Sequence, residues 1–360
     1  MRSAVSPSFW KDKRVLVTGH TGFKGTWLSL WLAQMGAKVA GFSLPPRDTD
    51  LAFDACRVGE VITSLYGDIN DKGTLQALVS DFQPQVIFHL AAQPLVRSSY
   101  EDPYGTFQTN VMGTLCLLEA SLKSQALAAI VNITTDKCYE NMEWEWGYRE
   151  TDRLGGHDPY SASKACAELV SQSFRKSYLE GNGATVKLVT ARAGNVIGGG
   201  DWSQDRLIPD MVKSYRDSKT VLLRNPGAVR PWQHVLEPIC GYLQLAQFIY
   251  ESDGDLYPSW NFGPESQEVH SVGDVASIFM AALGHDNPYE LDIGSNPHEA
   301  NLLLLDISRA KSVLGWTPAM STELAIQKTA EWYKAWMGGE DMHRFTIEQI
   351  NSYLNLIPGD

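Results

Sequence analysis

Arg14-Val15-Leu16-Val17-Thr18-Gly19-His20-Thr21-Gly22-Phe23-Lys24-Gly25 is the stretch on which the fold turns. A β-branched run passes directly into glycines at 19, 22 and 25, and the next residues, from Trp27 to Met35, are apolar nearly all round and closed by Gly36. The pattern predicts a strand, a tight turn and a helix packed on a sheet with a glycine cap. Glycines there permit the turn, let the backbone approach a pyrophosphate and allow close helix–strand contact. The helix start adds unpaired N–H groups and the positive end of its dipole.

Outward from this unit, β-branched runs at 14–17, 38–42, 61–66, 86–90, 128–133 and 185–189 alternate with helical patterns at 72–82, 104–123 and 160–178. Such alternation predicts parallel strands joined by covering helices. After Asn195 the chain becomes rich in glycine, proline and tryptophan, with shorter helical patterns at 207–215, 238–250, 272–283, 307–314 and 322–337. Residues 1–194, with a return segment near 231–262, read as a dinucleotide-binding domain. Residues 195–230 and 263–360 read as a smaller, mixed substrate-binding domain.

With 44% hydrophobic residues in 360, the chain can bury a substantial core. No stretch approaches the ~18 uninterrupted apolar residues of a membrane span. The first seven residues lack a basic segment followed by an apolar run, which reads as a cytoplasmic protein. Five scattered cysteines, with no Cys-x-x-Cys pair and no histidine at ligand spacing, argue against a disulfide framework and against a metal site. A formal charge of -12 opposes nucleic acid and anionic membrane, but an anionic small molecule needs only a local cluster of arginines.

Tyr160 and Lys164 stand four apart at the start of a predicted helix, after Asp158 as N-cap and Pro159 in the first turn, and so share one face. An ammonium beside the phenol favours the phenolate and lowers its pKa toward that of a base for a hydroxyl proton. Thr134-Thr135-Asp136-Lys137 falls at the end of the fifth predicted strand, the edge where open α/β sheets hold ligands. The threonine hydroxyl can bond a reacting hydroxyl, and Asp136 can serve as general acid if its pKa is raised. Asp68, with Ile69 behind it, suits an adenine ring or, equally, a turn. No acidic residue ends the second strand at Gly41-Phe42-Ser43, and Arg47 follows, so the residues alone leave NAD and NADP open.

Taken with Leu90-Ala91-Ala92 and Asn110 in Asn110-Val111-Met112-Gly113-Thr114, the glycine turn and the Tyr160–Lys164 pair resemble the extended short-chain dehydrogenase/reductase family. Thr135-Asp136 is similar to the threonine–acid pair of its nucleotide-sugar 4,6-dehydratases. The segments 22–25, 92–97, 135–139, 194–202 and 230–235 are most similar to the branch of these acting on CDP-glucose, and the resemblance spans about 9–318.

The resemblance implies a Rossmann-type doubly wound sheet, a tightly held NAD regenerated each turnover, and CDP-glucose as substrate. It places Gly19, His20, Thr21, Gly22, Phe23, Lys24, Gly25, Asp68, Ile69, Leu90, Ala91, Ala92 and Asn110 at the cofactor, with Tyr160 and Lys164. It assigns catalysis to Thr135, Asp136, Lys137, Tyr160 and Lys164, with lysine at 137 where dTDP-glucose relatives carry glutamate. Gln93, Arg97, Asn195, Asp201, Arg206, Arg230 and His298 fall to the substrate, Arg230 ranking above Arg206 because its segment is the more distinctive.

A 4-epimerase or reductase of the same family needs the same turn, tyrosine and lysine but has no use for Asp136. A non-catalytic NAD-binding regulator has no use for the Tyr160–Lys164 pair either. The stretch 140–157, with Trp144, Trp146 and Tyr148, reads as a partial lid or as packed aromatics. Helices 104–123 and 160–178 resemble the elements that pair family members, which implies a homodimer, with a tetramer left open.

Overall fold

The computed structural model describes residues 5–47, 51–180, 186–223, 225–253, 256–265, 270–285, 289–291 and 302–357. Seven strands form one sheet: β1 (Arg14–Thr18), β2 (Lys38–Ser43), β3 (Thr63–Tyr66), β4 (Val86–His89), β5 (Ala129–Ile133), β6 (Lys187–Ala193) and β7 (Ser259–Phe262). Their order is β7-β6-β5-β4-β1-β2-β3, and every neighbouring pair is parallel. The chain thus fills one side of β1 and then crosses to the other. The carboxyl ends of β1 and β4 meet at the reversal, the place where doubly wound sheets open a crevice.

Side chains alternate along each strand and, apart from the exposed edge strand β3, both faces are buried, as parallel sheets covered by helices require. Val15, Val17, Val86, Phe88, Ala129 and Val131 join the larger core. Leu16, Ile87 and Ile130 join a second core on the opposite face. The covering helices used below are α1 (Phe23–Gln34), α2 (Lys72–Phe82), α3 (Gly113–Ser121), α4 (Pro159–Phe174), α5 (Leu207–Arg216), α6 (Leu236–Glu251), α7 (Val272–Leu283), α8 (Thr322–Met337) and α9 (Met342–Leu354). None among the described residues is long and apolar enough to cross a membrane.

Three departures from the sequence reading have physical causes. The third strand begins at Thr63, not Val61, because Val58–Val61 closes a helical turn in which Ile62 N–H donates to the Val58 carbonyl at 3.2 Å. The sixth runs on to Ala193 because β7, which the reading did not assign as a strand, pairs Ser259–Phe262 with residues 190–193. Helix α9, also unassigned, explains why α1 is apolar all round: Trp31 meets Tyr353 edge-on at 5.8 Å, and Gln34 bonds Asn351. The glycine-turn helix lies between the sheet and the end of the chain.

Glu237 on α6 staples that end in place. Its Oε1 accepts the backbone N–H groups of Ala319 and Met320 at 2.9 and 2.7 Å, and Oε2 accepts the Tyr353 hydroxyl at 2.8 Å. Burial pushes the carboxyl up to about 7 from an ordinary 4.5, with the Tyr353 bond pulling the other way. Between those values the native state holds a proton that the unfolded chain has released, so stability falls as pH rises through the window. Glu237→Gln is expected to match the parent near pH 4.5 and to exceed it at pH 8 by about 2–3 kcal/mol. Denaturant titrations at the two pH values measure this, and an equal difference at both would refute it.

Candidate active site

At the reversal point Gly19 has φ +75, and a Cβ there would sit 2.7 Å from the Ala91 nitrogen. A Cβ on Gly25 would sit 2.1 Å from the Gly19 carbonyl oxygen. The turn therefore closes on itself and on Leu90-Ala91, with backbone where other residues would put side chains. Thr18 Oγ1 bonds His89 Nδ1 at 2.7 Å, and His89 Nε2 bonds Thr114 at 3.1 Å. Burial holds His89 neutral, its pKa lowered to about 3. A buried imidazole thus ties β1, β4 and α3 together beneath the turn.

His20 faces the sheet. Its ring fills the space a Cβ on Gly41 would need, at 2.2 Å, stacks on Tyr66 and bonds Ser43. Thr21 likewise bonds Ser43 at 2.8 Å. Both support the turn through their side chains. The Gly22–Gly25 backbone and the start of α1, where no side chain caps Gly22, fit a pyrophosphate. Asp68 is exposed and accepts from Asn70 N–H and Nδ2 at 2.8 and 2.9 Å. Buried Ile69 packs where a Cβ on Gly113 would be.

Asn110 lies in a π-helical turn, Gln108–Met112. Its Oδ1 accepts from Gln93 N–H at 2.8 Å, while Nδ2 donates to the Gln93 carbonyl and to Ser163 Oγ. One side chain therefore locks the loop after β4 to α4. The extra residue of a π turn is a frequent companion of such sites. Gln93 in turn donates to Leu95 and Thr106 within its own loop.

Helix α4 starts as its sequence predicts, with Asp158 accepting from Ser161 N–H and Pro159 in the first turn. Tyr160 and Lys164 are buried side by side with Thr135 and Asp136. Thr135 Oγ1 donates to Asp136 Oδ1 at 2.9 Å, and Lys137 Nζ stands 3.4 Å from the same oxygen and 3.5 Å from Asn195 Oδ1. Lys137 is therefore engaged across the cleft, with 36% of its side chain exposed. A Cβ on Gly194 would lie 3.1 Å from Asp136 Oδ2 and 3.4 Å from Pro231. This explains a glycine directly after β6.

Around the phenol, burial outweighs the neighbouring charges. Burial pushes Tyr160 up to about 12, and the hydrogen bond with Thr135 and the Arg206 charge only partly offset it. Lys164 instead donates to the Ile133 carbonyl at 3.3 Å, its own pKa lowered to about 8 by burial. Lys24 leaves the glycine turn for the same place: burial first, then the Arg206 charge, lowers it to about 7, with Asp136, Lys164 and Lys137 also acting on it.

Arg206 lies close enough to act on Tyr160 and Lys24. Asp201 is buried, pairs with Arg206 at 3.0 Å and accepts Ser203 N–H, which makes it the support of that arginine. Arg97 pairs with Asp205 at 2.8 Å, joining the loop after β4 to the 201–206 loop. Arg230 lies on a two-residue strand, Val229–Arg230, that pairs antiparallel with His270-Ser271, and donates to the Val229 carbonyl. His298 lies outside the described residues. Tyr148 is buried, stacked on Tyr139 and Trp144 at 5.2 and 5.5 Å, and a Cβ on Gly147 would strike the Leu305 backbone, so Tyr148 is packed in place, whereas Trp144 and Trp146 are 37% and 62% exposed.

Missed in sequence was the buried pair of Glu168 on α4 and Arg192 on β6, bonded at 2.7 Å. Its signal was present: Glu168 follows Lys164 by one turn on the same face.

The model of the GDP-mannose 4,6 dehydratase family matches residues 16–329. The chain belongs to that family, within the extended short-chain dehydrogenases/reductases. It is 46% identical to a CDP-glucose 4,6-dehydratase of Salmonella typhimurium, covering 98% of this chain and 99% of that one. It is 26% identical to a dTDP-glucose 4,6-dehydratase of Xanthomonas campestris pv. campestris over 94% and 98%. Among solved structures it is similar to a dTDP-glucose 4,6-dehydratase from Streptomyces venezuelae with NAD and TYD bound, at TM-score 0.76 and 24% identity over 91% and 98% of the chains. A UDP-glucose 4-epimerase from Thermotoga maritima with UDP-glucose superposes at TM-score 0.78 and 22% identity over 90% and 99%. The latter two likenesses speak to the fold.

Adding a methyl at Gly194 is expected to displace the Asp136 carboxyl without reaching the core. Gly194→Ala should lower kcat about 10-fold or more, since small misplacements of catalytic groups are costly, with the melting temperature little changed. Unaltered kcat would show that Asp136 is not held by this contact.

Proposed function

We propose that this protein is a CDP-glucose 4,6-dehydratase, a hydro-lyase that converts CDP-D-glucose to CDP-4-keto-6-deoxy-D-glucose and water. The observation that carries the reading is Asp136, buried beside Thr135, Lys137 and Tyr160. A proton donor next to the oxidising tyrosine serves elimination and has no part in a 4-epimerase. The 46% identity to the Salmonella enzyme supports the choice of substrate.

In this reading the 19–25 turn, Asp68, Ile69, Leu90-Ala91-Ala92, Asn110, Tyr160 and Lys164 would hold NAD, Asp68 and Ile69 serving its adenine. When bound, it would supply the acceptor for the hydride of sugar carbon 4 and the donor for carbon 6. Tyr160 Oη takes the proton of the carbon-4 hydroxyl, and Thr135 and Lys164 favour the phenolate by hydrogen bond and charge. The carbon-4 ketone acidifies the hydrogen on carbon 5, whose proton passes to solvent as the C–H electron pair forms the double bond to carbon 6; a solvent proton returns to carbon 5 when the hydride reaches carbon 6. Asp136 then protonates the departing carbon-6 hydroxyl. Lys137, between Asp136 and Asn195, keeps the acid oriented and offsets enolate charge.

Arg206, held by Asp201, together with Arg230, Arg97, Asn195, Gln93 and His298, serves the nucleotide diphosphate and sugar. The 1–194 region with its 231–262 return holds cofactor, and 195–230 with 263–360 holds the nucleotide sugar. The protein works in the cytoplasm as a homodimer, pairing through the helices of 104–123 and 160–178, whose exposed Tyr104, Met112, Leu122, Leu169 and Tyr178 suit a partner copy.

Purified protein offered CDP-, dTDP-, UDP- and GDP-glucose in deuterated water is expected to dehydrate CDP-glucose and place deuterium at carbon 5. A 4-epimer without exchange would overturn the assignment. Tyr160→Phe is expected to lower kcat at least about 100-fold, the usual scale for a lost general base. Mass spectrometry over a time course reads loss of water, deuterium uptake and kcat, and chromatography, which separates epimers of equal mass, reads a 4-epimer.

A further inference from the structure

Glu168 is 4% exposed and receives four hydrogen bonds. Arg192 donates Nε to Oε1 at 2.9 Å and Nη2 to Oε2 at 2.7 Å in a bidentate fork, Thr190 Oγ1 donates to Oε2 at 2.7 Å, and Thr134 Oγ1 donates to Oε1. Burial alone would raise this carboxyl, but the guanidinium and the two hydroxyls outweigh it and hold it below the usual range. It is a fixed anion. Arg192 Nη1 reaches on to the Tyr139 hydroxyl at 2.7 Å, and that hydroxyl donates to Asn261 on β7 at 2.7 Å. The pair thus grips α4, the ends of β5 and β6, and the loop that carries Thr135, Asp136 and Lys137.

The groups that act on Lys164 come from four directions: Glu168 on its own helix, Cys138 from the loop after β5, Lys24 from the start of α1 and His89 from the end of β4. Burial keeps Cys138 a thiol and His89 neutral. Lys24 carries the same sign as Lys164, which leaves Glu168 as the anion facing it.

We propose that Glu168, held by Arg192, is a positioning residue for the dehydratase reaction: one turn along α4 from Lys164, it presents a fixed carboxylate on the face of that ammonium and holds the 134–135 strand end beside it. The proposal rests on the reading above, in which Lys164 acts as a cation next to Tyr160. An anion raises the pKa of a neighbouring ammonium, so its removal lets burial act alone and the lysine loses its proton at lower pH.

Glu168→Gln keeps the shape and removes the charge. The alkaline limb of kcat/KM for CDP-glucose is expected to move about one unit or more toward acid, with KM at the optimum changed less than ~3-fold. Glu168→Asp, which restores a carboxylate, is expected to return the limb toward the parent's. Should the single variant fold poorly with Arg192 unpaired, the Glu168→Gln/Arg192→Gln double variant removes that charge and should show the same displacement. A limb that stays where the parent's lies, in whichever glutamine variant folds, would reduce the pair to a structural clamp and overturn the proposal. If the parent protein itself neither releases water nor takes up deuterium, it is the assigned activity that fails.

Discussion

The ion pair between Arg192 and Glu168, with 3% and 4% of the side chains exposed, is the interaction on which the site depends. Removing two charges from water costs several kcal/mol per ion, and only good geometry with every remaining lone pair satisfied offsets it. Here the fork is bidentate, and Thr134 and Thr190 complete the carboxylate. Losing one partner would strand the other at a cost of about 3–5 kcal/mol. That asymmetry constrains the ends of β5 and β6 to polar residues and fixes their spacing. Thr135, Asp136 and Lys137 then leave the sheet from a point that cannot drift.

A second constraint is steric and acts at the other side of the crevice. Gly19, Gly25 and Gly194 each occupy a place where a Cβ would meet backbone or the Asp136 carboxyl within 3.1 Å. The first two bring β1, α1 and the loop after β4 into contact, and the third brings the end of β6 against Asp136. Trp27 carries the same frame across to the substrate side by donating its indole N–H to the Gly199 carbonyl at 2.9 Å. Gly199 itself leaves room for the Trp332 ring, 1.9 Å from where its Cβ would be. Cofactor turn and substrate loop are therefore braced through one tryptophan.

What could be read from sequence follows the range of the forces involved. The β1–turn–α1 unit, the N-cap at Asp158 and α8 at Thr322–Met337 are set by local pattern, and their limits were legible. Strand β7 and helix α9 were not, because Ser259–Phe262 is a strand by virtue of pairing with β6, and α9 is fixed by contacts such as Trp31–Tyr353 far away in the chain. In the site, the identity of the Thr135–Asp136 and Tyr160–Lys164 groups was legible, but their electrostatics were not. Spacing of four on a helix suggested an acidified phenol, whereas burial, a property of the whole fold, dominates Tyr160. His20, Gln93 and Asp201 sit in the expected segments, yet their side chains bond neighbours within the frame, a distinction that motif reading cannot draw.

The charge distribution shows how an acidic protein can attract an anion. The chain carries -12 overall, yet Lys24, Lys137, Lys164 and Arg206 gather around Asp136. Asp201 pairs with Arg206 and Glu168 faces Lys164, yet Lys24 is still lowered to about 7, by burial first and then by the Arg206 charge. A ligand bearing phosphate charge would relieve the repulsion and draw protons onto the cluster, so binding and protonation favour each other. The net charge repels anions at long range, and this cluster attracts them locally. Lysine rather than glutamate at 137 fits this balance, since a second carboxylate beside Asp136 would weaken the local positive field.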